Sequence, residues 1–108
     1  MKVHKAKRVD IIIEAPMQRR LTKALDAGGV SGYTLLPVLG GSGRSGPWTQ
    51  DGQVSSAGGM VHVLCIVLED KVDPILDIAF GVVEKHLGIV SISDCDIIRP
   101  ERFASAQS

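Results

Sequence analysis

"GMVHVLCIVLED" (Gly59–Asp70) decides the fold, because it is the strongest strand signal in the chain. Its residues are almost continuously apolar, which predicts a central strand that is buried on both faces. Two alternating sets of side chains point to opposite faces, and both are largely apolar. The sets are Val61, Val63, Cys65 and Val67, and His62, Leu64, Ile66 and Leu68. Other parts of the protein must therefore cover each face of this strand.

The segment before this strand predicts a strand, a helix and a second strand. "RVDIIIEA" (Arg8–Ala15) is β-branched and apolar, and Pro16 suits the first turn of a helix. Apolar residues at helical spacing then continue to Ala27, where Gly28 and Gly29 end the helix. "VSGYTLLPVLGG" (residues 30–41) is the second strand, and its Pro37 indicates an edge, a bulge or a bend.

The segment after the central strand predicts a second helix and a last strand. Asp70 or Asp73 caps the helix, which Gly88 ends. Its apolar stripe is Val72, Ile75, Leu76, Ala79, Val82, Val83 and His86. "IVSISDCDIIRP" (residues 89–100) alternates apolar with small or polar residues and forms the last strand.

This order of elements predicts an α+β fold of the ferredoxin-like βαββαβ type, with a four-stranded antiparallel sheet. Right-handed connections place both helices on one face of the sheet. The opposite face is then left apolar and open, which predicts self-association.

Composition predicts one domain spanning residues 1–108, because the chain is 44% hydrophobic and 22% charged. The chain has 12 lysine and arginine residues in total, and 12 aspartate and glutamate residues. No excess of positive charge therefore favours the binding of nucleic acid. The central strand also has no aromatic side chain on which a base would stack. The apolar run before Glu14 is too short for a signal peptide or membrane insertion. We expect a cytoplasmic protein.

Cys65 and Cys95 lie in apolar, alternating stretches, and no CxxC motif or Cys/His pair has metal-ligand spacing. Buried free thiols are therefore favoured over a disulfide or a metal role. The three histidines are scattered along the sequence, and no metal site is predicted.

The long segment between the second and third predicted strands begins with "VLGGSGR" (residues 38–44). Gly40, Gly41 and Gly43 have no Cβ, so several backbone N–H groups can converge on an anion, and Arg44 supplies a forked cation. The alternative is a flexible connection with no ligand, because glycine clusters are weak evidence alone.

"GVSGYTLLPVLGGSGR" (residues 29–44) resembles the segment of the PII signal-transduction family that reads Gly-Val-Ser/Thr-Gly-x-Thr, then valine, then Gly-x-Gly-Arg at the base of the long T-loop. "VHVLCIVLEDKVDPILDIAF" (residues 61–80) and the terminal "IIRPER" are also similar, so the resemblance covers nearly the whole chain. It implies a trimer that binds adenine nucleotide in the cleft between neighbouring subunits. Residues 41–59 would be the mobile T-loop, and residues 104–108 a disordered tail.

The resemblance also assigns site residues. Thr34 and the backbone around Leu64, Cys65 and Ile66 would contact adenine. The phosphates would be contacted by Gly40, Gly41, Gly43, Arg44, Gly88, Arg99 and Arg102, with Arg99 reaching in from the adjoining subunit. The alternatives are structural, since Thr34 can pair across strands and Arg99 can cap the sheet edge. No catalytic residues are predicted, so we expect a protein that is not an enzyme.

One departure from the family concerns the connection "EKHLGIV" (residues 84–90), where the family has a glycine-rich, lysine-containing loop for the outer phosphates. In the family, that lysine forms an ion pair with a glutamate of the third strand. The matching position in this sequence is Leu64, so both partners of the ion pair are missing together. The shorter connection favours ADP or AMP over ATP.

The short connection and the T-loop base ending in "GPW" are similar to a divergent PII-like subgroup associated with carboxysomes and inorganic-carbon uptake. That likeness implies a bicarbonate site at Ser42, Gly43 and Arg44, and a membrane transporter or an enzyme of inorganic-carbon metabolism as partner. Trp48 is expected to dock a partner protein or a neighbouring subunit, or else to fold back over the sheet edge. A trimeric metal-binding or metal-tolerance protein of similar fold is the second hypothesis.

Overall fold

This computed structural model describes residues 1–43, the backbone of residues 46–49, and residues 59–103. Within them, the strands and helices follow the predicted order, with one additional pair of strands. The strands are β1 (His4–Glu14), β2 (Thr34–Pro37), β3 (Gly40–Gly43), β4 (Gly46–Thr49), β5 (Met60–Leu68) and β6 (Gly88–Ile97). The helices are α1 (Gln18–Ala27) and α2 (Val72–Val83).

The main sheet has four strands in the order β2-β5-β1-β6, and all its pairings are antiparallel. This confirms the predicted ferredoxin-like α+β fold. β5 is a central strand, as its apolar sequence predicted. β2 is an edge strand that ends at Pro37, which agrees with the missing backbone donor of proline.

Helix α1 ends at Ala27 as the sequence predicted, but it begins at Gln18 and not at Pro16. A short 3-10 turn, Ala15–Met17, carries Pro16 at its start and leads into the helix. At the other end, the Gly29 N–H donates to the Asp26 carbonyl and the Val30 N–H to the Leu25 carbonyl. Gly29 has a φ of 86°, so these bonds form a Schellman cap that needs a residue without a Cβ.

The predicted start of α2 was wrong. A 3-10 turn, Glu69–Lys71, follows β5 directly, and Lys71 precedes α2 with no capping bond from its side chain. Asp70 therefore lies inside the turn, and Asp73 lies in the first helical turn, where its charge favours the helix dipole. The helix also ends at Val83, so His86 belongs to the connection that follows it.

One face of the sheet packs against both helices. The alternating residues of β1 and β5 meet the apolar stripes of α1 and α2, and these side chains form the core of the domain. The completely or almost completely buried members are Val9, Ile11, Ile13, Leu21, Leu25, Val63, Cys65, Ile75 and Ala79. Burial of this set is the main contribution to stability, at about 1.5–3 kcal/mol for each large side chain.

The opposite face carries no helix among the described residues. Ile12, Leu64 and Ile66 are half-buried there, and Ile89 on the edge strand is 60% exposed. These apolar side chains agree with the open face that the sequence predicted, although Asp10 and His62 also lie on it.

The segment predicted as the mobile T-loop begins with regular structure. β3 and β4 pair as a two-stranded antiparallel sheet in which Gly41 faces Trp48 and Ser42 faces Pro47. The sequence did not predict these strands, because their glycine-rich residues show no alternation of apolar and polar side chains. Arg44, Ser45, residues 50–58 and the predicted tail 104–108 lie outside the described residues.

Gly88 provides a test of packing at the start of β6, and Gly81 in α2 provides the control. A Cβ at Gly88 would lie 2.7 Å from the carbonyl oxygen of Ile12, which is backbone and paired in the sheet. We expect Gly88→Ala to lower the free energy of unfolding by about 1–3 kcal/mol. Gly81 in α2 has nothing within 4 Å of such a Cβ, so Gly81→Ala is the control.

We expect Gly81→Ala to be neutral or to stabilise the protein by up to about 1 kcal/mol, because alanine favours helix over glycine. Urea unfolding of both variants at one protein concentration provides the measurement. Equal effects of the two substitutions would contradict the packing argument.

Candidate functional site

A hollow of about 300 Å³ lies where β2 meets β5. Thr34 is paired with Leu64 across the two strands, so the start of β2 is fixed beside the middle of β5. The C-terminal 3-10 turn, Pro100–Phe103, packs against β5 and completes the hollow. Its lining residues are Ser31, Gly32, Tyr33, Thr34, Leu64, Cys65, Ile66, Arg102 and Phe103.

The lining combines apolar walls with a few polar groups. Leu64, Ile66 and Tyr33 are half-buried, while Thr34 brings a hydroxyl and Arg102 a guanidinium. This combination suits a planar apolar ring that carries an anionic group. Cys65 is buried, and burial raises the pKa of its thiol to about 11. Its sulfur is therefore protonated at neutral pH and unsuited to nucleophilic chemistry.

The structure brings together the residues that the resemblance assigned to adenine, namely Thr34 and residues 64–66, and adds Arg102 to them. Arg99 does not line this hollow. Its guanidinium is 3.9 Å from the Glu101 carboxylate, and its side chain is 61% exposed. A contact of Arg99 with a ligand held by the adjoining subunit stays a prediction.

The glycines assigned to phosphate lie elsewhere in the single chain. Gly40, Gly41 and Gly43 are in β3, exposed and outside the lining of the hollow. Gly88 begins β6, and Arg44 lies outside the described residues. The resemblance implies that the ligand lies in the cleft between neighbouring subunits, so a contact of these glycines with its phosphates stays a prediction.

The predicted residue Trp48 lies in β4, and only its backbone is described. The sequence also missed four lining residues: Ser31, Gly32, Tyr33 and Phe103. Phe103 had no signal in the pattern, because it is a lone aromatic beyond the last periodic segment.

The connection between α2 and β6 is held by Glu14. The Leu87 N–H donates to the Glu14 carboxylate at 3.0 Å, and His86 Nδ1 lies 3.7 Å from the same oxygen. Only residues 84–87 separate the helix from the strand, which agrees with the short connection in the sequence. Residue 14, at the end of β1, therefore fixes the position of this connection.

Three charged or polar side chains lie beside the hollow on the open face of the sheet. Arg8 Nε is 3.0 Å from one Asp10 oxygen, and His62 Nε2 is 2.7 Å from the other. Asp10 is paired with Leu64, so this cluster adjoins the wall of the hollow. The hydrogen bond from Arg8 lowers the pKa of Asp10, and the bond to His62 acts in the same direction against the opposing effect of burial.

Cys65 is buried as predicted, whereas Cys95 is only half-buried, and both are free thiols. No group of three or more His, Cys, Asp or Glu side chains with metal-binding geometry occurs in the described part of the chain. The metal-binding hypothesis therefore has no support in these residues. No helix in the described ranges is long and apolar enough to cross a membrane.

Comparison with known proteins agrees with the fold. The model of the family described as nitrogen regulatory protein P-II matches residues 6–102. The chain therefore belongs to the P-II family. The identity of 23–30% to the similar solved structures and the short α2–β6 connection make it a divergent PII-like member. No curated protein matches the chain significantly.

Several solved structures are similar over nearly the whole chain. CPII from Thiomonas intermedia K12, a nitrogen regulatory PII-like protein bound to ADP, AMP and bicarbonate, is 29% identical, with 94% of this chain and 96% of that chain covered and a TM-score of 0.85. CPII bound to ADP and bicarbonate is 30% identical, with 94% and 97% covered and a TM-score of 0.80. A putative PII-like signalling protein from Thermus thermophilus shares the fold at 23% identity, with 96% and 100% covered and a TM-score of 0.78.

The Asp10 cluster generates a prediction on stability and pH. Asp10→Asn keeps the shape of the side chain but removes the charge that Arg8 and His62 contact. We expect the free energy of unfolding to fall by about 1–2 kcal/mol near neutral pH, a modest value because Arg8 is half-exposed and screened by solvent. A carboxyl with a lowered folded-state pKa contributes stability above its unfolded pKa and loses it as the pH falls through the folded value.

The difference between wild type and Asp10→Asn should therefore shrink as the pH is lowered below about 4. Asp96→Asn is the control, since its carboxylate is 3.9 Å from Lys5 and both side chains are exposed. Urea unfolding across pH, at one protein concentration, measures both variants. A pH-independent difference, or an equal loss for Asp96→Asn, would contradict the assignment.

Proposed function

We propose that this protein is a regulatory sensor, not an enzyme, that binds ADP or AMP in preference to ATP. The observation that carries the proposal is the hollow in which Thr34, residues 64–66 and Arg102 come together. These are positions that the family resemblance assigns to nucleotide, and the similar CPII protein is bound to ADP and AMP. The nucleotide base would lie against Leu64 and Ile66, and its phosphates would extend along the cleft between neighbouring subunits toward Gly40, Gly41 and Gly43.

The preference for ADP or AMP rests on the α2–β6 connection. It is short, and the Leu87 N–H is already bonded to the Glu14 carboxylate. That N–H is therefore not available to an outer phosphate, and a carboxylate at this place repels one. ATP would gain little from its third phosphate in such a site.

A bicarbonate site at Ser42, Gly43 and Arg44 is the second part of the proposal. Ser42 and Gly43 are exposed in β3, and a guanidinium suits a small planar anion because it donates two parallel hydrogen bonds. The similar CPII protein is bound to bicarbonate together with ADP. Nucleotide and bicarbonate would each order the segment that the other needs, which couples their affinities.

By binding these ligands, the protein would signal the energy state and the inorganic-carbon level of the cell to a partner protein. That partner would be either a membrane transporter or an enzyme of inorganic-carbon metabolism. Trp48 is the proposed docking residue. A cytoplasmic location is part of the same proposal, because both cysteines are free thiols and such a compartment keeps thiols reduced.

Calorimetric titration tests the ligand set. We expect AMP and ADP to bind more tightly than ATP, and bicarbonate to raise nucleotide affinity by about fivefold or more in protein that already holds nucleotide. The coupling must be reciprocal, so nucleotide must raise bicarbonate affinity by the same factor. No heat with any adenine nucleotide would contradict the proposal.

The same titration with the Arg44→Ala variant tests the proposed contact of Arg44 with the phosphates. Loss of a charged hydrogen-bond donor should lower the affinity for ADP by about 10- to 100-fold but leave the affinity for adenosine within about threefold of wild type. Arg20→Ala is the matched control, because Arg20 is an exposed arginine of α1. Equal weakening of ADP and adenosine would contradict the assigned role of Arg44.

We also propose that the protein forms a trimer through the open face of its sheet, because half-buried apolar side chains such as Ile12 and Leu64 lie there without a helix. Sedimentation equilibrium should give three times the mass of one chain. Ile12→Glu should lower that mass, since it buries a carboxylate between subunits. Phe80→Glu on the outer face of α2 should leave it unchanged, and equal effects of the two variants would contradict this interface.

A further inference from the structure

Phe103 has no role in the proposals above, yet it lies at the hollow. It ends the 3-10 turn Pro100–Phe103 and lines the hollow together with Leu64 and Ile66. Tyr33 is the other aromatic residue of the lining. The described part of the chain therefore places an aromatic residue of the C-terminal turn at the same hollow that the apolar residues of β5 line.

Phe103 lines a second hollow as well. This hollow measures about 210 Å³ and lies beside the start of α2. Its other lining residues are Gly28, Gly29, Val30, Ser31, Val67, Lys71, Pro74 and Ile75. Phe103 thus forms a wall between two spaces. It is half-buried and does not belong to the hydrophobic core cluster.

The backbone that carries this ring has an unusual conformation. Arg99 has a φ of 58°, the left-handed region that residues other than glycine, asparagine and aspartate seldom adopt. The Arg102 N–H donates to the Arg99 carbonyl at 3.0 Å and closes the turn. The left-handed residue turns the chain back toward β5, and Arg102 and Phe103 consequently line the hollow.

We propose that Phe103 is a base-contacting residue whose ring holds the nucleotide base against Leu64 and Ile66, and that Arg99 is its positioning residue. The inference rests on the proposed nucleotide site and adds to it a contact on the base. An aromatic ring beside a hollow offers a flat apolar surface, and stacking on such a surface is favourable for any base. The contact acts on the base and not on the phosphates, so it should affect AMP and ADP alike.

The test compares AMP and ADP binding in wild type, Phe103→Ala and Phe103→Tyr by calorimetry. We expect Phe103→Ala to weaken both nucleotides by about tenfold and by the same factor. Phe103→Tyr, which keeps the ring, should bind within about threefold of wild type. Phe80→Ala is the matched control, because Phe80 is 60% exposed on α2 and does not line either hollow. It should leave binding unchanged.

Adenosine binding distinguishes the two roles considered for Arg99, which are contact with a phosphate and positioning of the C-terminal turn. Arg99→Asn keeps a residue that tolerates the left-handed conformation, and it should retain adenosine affinity within about threefold. Arg99→Val disfavours that conformation and should weaken adenosine by about as much as Phe103→Ala does. Adenosine has no phosphate, so this pair of variants measures the position of the turn and not a phosphate contact.

The outcomes distinguish this inference from the proposed function. Wild-type protein that binds no adenine nucleotide overturns both. Normal binding by wild type with an unchanged affinity in Phe103→Ala overturns the role of Phe103 alone. A loss confined to ADP, or an equal loss in Phe103→Tyr, also overturns it, and equal adenosine affinities in Arg99→Asn and Arg99→Val overturn the positioning role.

Discussion

The pairing of β1 on both of its sides is the constraint on which the rest of the structure depends. β1 is antiparallel to β5 on one side and to β6 on the other, over nearly its whole length. This register sends Val9, Ile11 and Ile13 toward the helices and Asp10 and Ile12 to the opposite face. A slip of one residue would exchange the two sets and bury a carboxylate beneath the helices.

The same register positions the candidate site. Because β5 is held between β1 and β2, Thr34 faces Leu64 and Asp10 lies on the other side of Leu64. The C-terminal turn then packs on β5 and brings Arg102 and Phe103 to the hollow. A ligand in this place would contact three segments distant in the chain, which is a suitable arrangement for coupling ligand binding to a loop or to a neighbouring subunit.

Much of this was predictable from local chemistry. Pro16 before α1 and the Gly28–Gly29 end of that helix follow from conformational preferences of those residues alone. The cap of α2 was predicted wrongly because Asp70 and Asp73 are both good capping residues, and the sequence does not show that a 3-10 turn starts at Glu69. The β3–β4 pair was missed because its strands, GGSG and GPWT, have no alternation of apolar and polar side chains, which is the pattern that identifies a strand in a sequence.

The sequence by itself determined the order of the two helices and the four main-sheet strands, the central position of β5 and the family, because apolar periodicity and the glycine motif are properties of neighbouring residues. Only the tertiary structure decided that Arg102 and Phe103 line the hollow while Arg99 does not. It also decided that Glu14 holds the α2–β6 connection and that Asp10 contacts both Arg8 and His62. These contacts join residues that are mostly far apart in the chain, and strand register and a single left-handed residue set their geometry, which no local pattern encodes.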